Sequence, residues 1–132
     1  MPETWSATGF QGVPIVLYDL GSGLDGNAFT QSSLSSLTAK VYDSVTRMQI
    51  GSTITLVIAD CIFDTIQTAT NDDRYTGTNG FNFRTTVPGA YLRAGDGDQI
   101  VLIEVYFADT ATPPVVSASR WKVTVKEVLG LA

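Results

Sequence analysis

The sequence predicts an all-β protein: a single-domain antiparallel β-sandwich of two layers with about 6–7 strands. Three observations carry this expectation. Apolar residues recur at every second position in several short runs, the mark of half-buried strands. Clusters of Gly, Pro, Asn and Asp punctuate the chain between those runs. Helical periodicity is nowhere sustained for about ten residues.

Residues 1–12 hold Trp5 and Phe10 among small and polar residues and read as an extended arm, with the sandwich spanning 13–132. Residues 13–19 form a short apolar run with Pro14 near its start, which suits an edge strand, where a missing N–H is tolerated. Residues 20–36 are broken by Gly21, Gly23, Gly26 and Asn27 and read as a loop, with one helical turn over 30–36. Residues 37–44 alternate, with Leu37, Ala39 and Val41 on one side and Lys40 and Tyr42 on the other. The stretch VTRMQIG turns the chain into a β-branched strand over 52–59, and 61–66 adds a possible seventh. Phe81, Phe83, Thr85 and Val87 alternate with Asn82, Arg84 and Thr86 until Pro88-Gly89 ends the strand. Residues 89–95 make a short helical turn. Residues 99–107, QIVLIEVYF, are greasy on both faces and should be central. After a loop over 108–118 with Pro113-Pro114, residues 119–128 put Trp121, Val123 and Val125 inward. A small barrel is the alternative closure.

The chain has 132 residues, enough to bury one core without disulfide or metal. Its net charge is −5 and its eight basic residues are mostly scattered, whereas a protein that tracks phosphates needs them clustered. Nucleic acid is therefore not expected as a partner. The start lacks the basic and apolar regions of a signal peptide, and the apolar runs are too short to span a bilayer, so no membrane partner is expected either. The lone Cys61 makes an internal disulfide impossible and fits synthesis in the cytoplasm. There is no histidine, which excludes Ser-His-Asp and Cys-His catalysis and every histidine-containing zinc site.

Several clusters were weighed for chemistry. Asp19, Asp25 and Asn27 lie on a glycine-rich loop that could wrap calcium, but the EF-hand spacing is not met and turn capping explains them. Asp96 and Asp98, in GDGD, are turn neighbours, poorly placed to flank a substrate as a glycosidase pair must. Asn71, Asp72, Asp73 and Arg74 read as a solvated loop with a local ion pair. Cys61 reads as a small buried hydrophobe. Ile62, Phe63 and Ile66 can tuck beneath a crossover between sheets, with Asp64, Thr65 and Gln67 outward. Asp64 and Asp73 would then satisfy backbone N–H groups, Arg74 or Arg84. The expectation is no catalytic residue, no metal and no cofactor.

Two resemblances add to this. The piece LRAGDGDQIVLIEVYF resembles the corner before strand F of immunoglobulin-like domains, although the disulfide and strand-C tryptophan of antibody domains are missing. The stretches Ile62–Thr68, Asp73–Thr76, Gly80–Arg84 and Val87-Pro88, with Phe10-Gln11-Gly12 and Val41-Tyr42-Asp43 before them, resemble a family of small uncharacterised proteins encoded in phage genomes and phage-like regions of bacterial genomes. The likeness covers most of residues 10–128. It implies an immunoglobulin-like structural protein of the virion, in capsid decoration, at the neck or head–tail joint, or in the tail. The implied partners are the major capsid protein or a neck or tail protein, and further copies of the chain in a homo-oligomer. No catalytic residues come with it.

On this reading the 1–12 arm and the 20–36 loop clamp neighbours, and the candidate contact residues are Trp5, Phe10, Tyr18, Leu24 and Phe29. The alternative function is a carbohydrate-binding module stacking sugars on Trp5, Tyr18, Tyr75 and Tyr91. A small hydrolase is the weakest reading, because no nucleophile motif is present.

Overall fold

In the computed structural model, which describes residues 4–23, 26–94 and 97–129, eight strands form two sheets. They are β1 (Thr4–Phe10), β2 (Ile15–Asp19), β3 (Leu34–Asp43), β4 (Gln49–Thr55), β5 (Ile62–Gln67), β6 (Phe81–Val87), β7 (Gln99–Asp109) and β8 (Val116–Lys126). A single helical turn, α1 (Ile58–Cys61), joins β4 to β5, and 3-10 turns occupy Gln31–Ser33 and Gly89–Tyr91. The five-stranded sheet runs β1-β8-β7-β3-β4 and the three-stranded sheet β2-β6-β5. Every pairing is antiparallel except β1 with β8. The chain crosses between layers after β1, β2, β4 and β6, the interlacing expected of an immunoglobulin-like Greek key.

The core forms where alternate residues of the two sheets meet. Val41, Ile103 and Trp121 lie in one row across three strands, and Ala39, Val105 and Ser119 in the next. All six are buried. Phe83 supplies the facing layer; its ring meets Phe107 edge-on at 5.2 Å and Trp121 at 6.0 Å. β7 lies between β3 and β8, in the central place its two greasy faces predict.

Three expectations need correction. Residues 4–10 are not an arm outside regular structure. They form an edge strand in register with β8, from Thr4 opposite Arg120 to Phe10 opposite Lys126. The alternation was hidden because the positions matching the inward Trp121, Val123 and Val125 are Trp5, Ala7 and Gly9, two of them almost without side chains. The 52–59 strand lies earlier, at 49–55, because the chain must turn at Val57 into α1 to reach the other sheet. In β6 the alternation holds only from Phe83 onward. Phe81 is buried but packs on Tyr18, Phe63 and Tyr75, apart from the inter-sheet core, and Asn82 is buried as well.

Candidate interaction faces

The charged stretch before β6 builds a structural node. The carboxylate at its centre is Asp72, only 7% exposed. It accepts hydrogen bonds from the Tyr18 hydroxyl at 2.9 Å, Arg84 Nη1 at 2.9 Å, the Arg74 amide at 3.0 Å and Arg74 Nε at 3.3 Å. The rings of Tyr18, Tyr75, Phe81 and Phe63 pack around it, and the Arg84 guanidinium lies over Phe63 at 5.1 Å. Burial pushes the Asp72 carboxyl up, but the four hydrogen bonds outweigh it and hold the group far below the ordinary carboxylate range. A carboxylate so engaged is a poor general base at neutral pH.

The expected local ion pair of Arg74 is present, and the same carboxylate also takes Arg84, for which Asp64 or Asp73 was the expectation. That carboxylate is Asp72, because the turn over 68–72 directs its side chain inward and leaves Asp73 exposed. Asp64 accepts from the Gln31 amide at 2.7 Å. Ile66 is exposed, not tucked beneath the crossover, because β5 is the sheet's free edge.

This node gives a pH prediction. The folded carboxyl titrates below its unfolded value, so its stabilisation is complete above the ordinary carboxylate range and is lost as pH falls toward the folded value. Asp72→Asn should lower stability at neutral pH and flatten the acid limb of the thermal midpoint between about pH 5 and about pH 2. An acid limb identical to that of the native chain would assign acid sensitivity to other carboxylates.

The 20–30 loop is tied down from within. Asn82 accepts from the Gly21 amide at 2.8 Å and donates to the carbonyls of Gly21 at 2.9 Å and Phe29 at 3.1 Å. Asp19 accepts from the Leu20 amide at 2.8 Å and from the Ser119 hydroxyl, joining β2 to β8 across the sandwich. These bonds give Asp19 a structural role in place of the calcium reading. Asp25, its suggested co-ligand, lies outside the described residues, as does Asp96. Among the described residues no group of three or more acidic or cysteine side chains is placed to hold a metal. Asp98 accepts from Lys126 Nζ at 3.1 Å and the Glu127 amide at 2.9 Å, so it ties the turn to the end of β8 and not to its own neighbours.

The proposed contact residues separate. Trp5 and Phe10, on β1, are 41% and 53% exposed. Tyr18 is half-buried and bound to Asp72. Phe29 is 5% exposed and stacks on Phe107 at 5.0 Å, so it belongs to the core and not to a contact surface. It reads as a loop residue because it follows the run of Gly21, Gly23 and Gly26, and its carbonyl is held by Asn82, far along the chain. Leu24 lies outside the described residues. Of the suggested sugar platforms, Tyr75 donates to the Gly80 carbonyl at 2.9 Å and Tyr91 to the Ser52 carbonyl at 3.2 Å. Cys61 is buried, with burial pushing its thiol up, and Trp121 is core, both as the sequence suggests.

A face that sequence reading did not single out emerges from the strand register. Opposite residues on neighbouring strands share a side of the sheet. Lys40, Glu104 and Arg120 therefore form one outer row of the five-stranded sheet, and Tyr42, Leu102 and Lys122 the next. Glu104 accepts from Arg120 Nε at 2.7 Å, again from Arg120 Nη2, and from the Tyr106 hydroxyl at 2.6 Å. Lys40 lies over the Tyr106 ring at 5.6 Å. Burial pushes the Glu104 carboxyl up, but these hydrogen bonds and the charges of Arg120 and Lys40 hold it below its ordinary value. Burial and then the bond to Glu104 push the Tyr106 phenol far up.

A hollow of about 180 Å³ opens on this face, lined by Tyr42, Arg47, Leu102, Glu104 and Arg120. Arg47 reaches it from the β3–β4 turn with φ of 62°, a left-handed conformation uncommon for a residue other than glycine. Asp43 braces that turn by accepting from the amides of Val45 at 2.8 Å and Thr46 at 2.9 Å. A second hollow, of about 360 Å³, lies between the 23–33 segment and the loop after β7. Its lining includes Asn27, Phe29, Ser33 and Asp109. No family model and no curated protein matches the chain.

Proposed function

We propose that this is a non-enzymatic structural protein of a phage virion, in capsid decoration or at the neck or head–tail joint, working through protein–protein contacts. The observation that carries the reading is where the polar chemistry goes. Asp19, Asp72 and Asn82, the buried polar groups best suited to act on a ligand, each brace the scaffold instead. Among the described residues no buried side-chain nitrogen or oxygen lacks a partner. Meanwhile the outer sheet face and the β1 edge offer aromatic and cationic groups to a neighbour, the residue types that dominate interface energetics. The sequence resemblance supplies the virion setting. The carbohydrate alternative has less support, because the Tyr18 and Tyr75 rings are packed against each other and against Phe81 within the fold.

Particles released by cells carrying the gene should contain the chain in fixed ratio to a shell or tail protein, as read by gradient sedimentation and quantitative mass spectrometry. A chain found only in the soluble fraction, with intact particles lacking it, overturns the proposal.

A further inference from the structure

Charge on this acidic molecule is unevenly placed. Of the eight basic residues, Lys40, Arg120, Lys122 and Lys126 project from the outer face of the five-stranded sheet, and Arg47 lines the hollow on it. Arg120 and Lys126 are matched by Glu104 and Asp98. Among the described residues, no hydrogen bond or ion pair engages the Arg47 guanidinium or the Lys122 ammonium. These two free cations flank a floor made by Leu102 and Tyr42.

The opposite layer carries a matching surface. From Val57 through β5, Asp60 and Asp64 are exposed between exposed Val57 and Ile66 at an edge of the three-stranded sheet, with one Asp64 oxygen also accepting from the Gln31 amide. One surface offers cations around an apolar floor; the other offers carboxylates between apolar side chains. The hollow, at about 180 Å³, is smaller than the roughly 300–1,000 Å³ of a small-molecule pocket, and it suits an inserted side chain. Five strands at about 4.8 Å spacing and about 3.3 Å per residue give the outer face roughly 700 Å². That is room enough to receive the flank, which at one helical turn and one strand is the smaller surface and sets the area of contact.

We propose that the outer face of the five-stranded sheet docks the α1–β5 flank of a second copy, with Arg47 and Lys122 receiving Asp60 and Asp64 over Leu102 and Tyr42. The two surfaces are different, one the outer face of the five-stranded sheet and the other an edge of the three-stranded sheet, so a contact that uses each once is heterologous and builds a ring or a filament. This rests on the reading of the protein as a contact-forming subunit and specifies one of its contacts.

The test uses the full chain and two charge-reversed variants, R47E/K122E and D60K/D64K, all four positions being exposed. Circular dichroism and thermal melting first verify that each is folded. Sedimentation velocity over a concentration series should show the native chain associating, and added salt weakening the association. Each variant alone should associate about tenfold more weakly or not at all. Mixed, they should recover association, because the native face of one meets the native flank of the other and the two reversed surfaces are again complementary in charge. A native chain that stays monomeric throughout, variants that associate as the native chain does, or a mixture that stays as dissociated as either variant alone each overturns the proposal. A monomeric chain that is nevertheless a fixed component of particles sinks this contact and leaves the virion role standing.

Discussion

Phe83→Ala should lower unfolding stability by about 3–5 kcal/mol, the range for emptying an aromatic site in a packed core. Phe83 is fully buried and faces the opposite sheet, touching both Phe107 and Trp121. Removing it withdraws the three-stranded layer's central contribution and opens a cavity that two rigid sheets cannot close. Domains of this size are stable by only about 5–15 kcal/mol, so the variant would retain a small margin. Urea denaturation measures the change, with Thr86→Ala on the exposed side of the same strand as the control, expected within about 0.5 kcal/mol of the native chain. A loss below about 1 kcal/mol for Phe83→Ala would mean that the two sheets do not pack through this residue.

Asn82→Ala should cost about 2–4 kcal/mol, since a buried amide's removal leaves the Gly21 amide and the Phe29 carbonyl without their Asn82 partner and the Gly21 carbonyl with the Phe29 amide alone. Asn82→Asp should be worse. It keeps an acceptor for the Gly21 amide but turns both donor contacts into carboxylate facing carbonyl. The diagnostic signal is local: amide hydrogen exchange at Gly21 and Phe29 should accelerate more than at core strand positions such as Ile103. Uniform acceleration would show that Asn82 supports global stability without specifically holding the loop.

The fold was legible where burial and period two coincide densely. β6 from Phe83, β7 and β8 announce themselves because their inward positions carry large or β-branched residues and their ends carry turn formers. β1 was not legible, since Ala7 and Gly9 leave no amphipathic signal and a parallel partner more than a hundred residues away defines the strand. The Asp72 node was half visible. A carboxylate near Arg74 was expected, but neighbouring aspartates have the same composition, and only the turn geometry decides which points inward. The outer face was invisible for a different reason. Lys40, Tyr42, Arg47, Leu102 and Lys122 become neighbours only through strand register, which one chain's alternation does not specify.

The parallel pairing of β1 with β8 also has a mechanical consequence. Seven matched positions join them, with Thr4 at one end of the pair and Lys126 at the other. A pull applied at Thr4 and directed away from a pull at Lys126 runs along both strands and loads their shared hydrogen bonds together in shear. Antiparallel strands held at adjacent ends would instead unzip one bond at a time. The pair therefore resists axial tension applied across those two ends more than an antiparallel pair loaded at adjacent ends would.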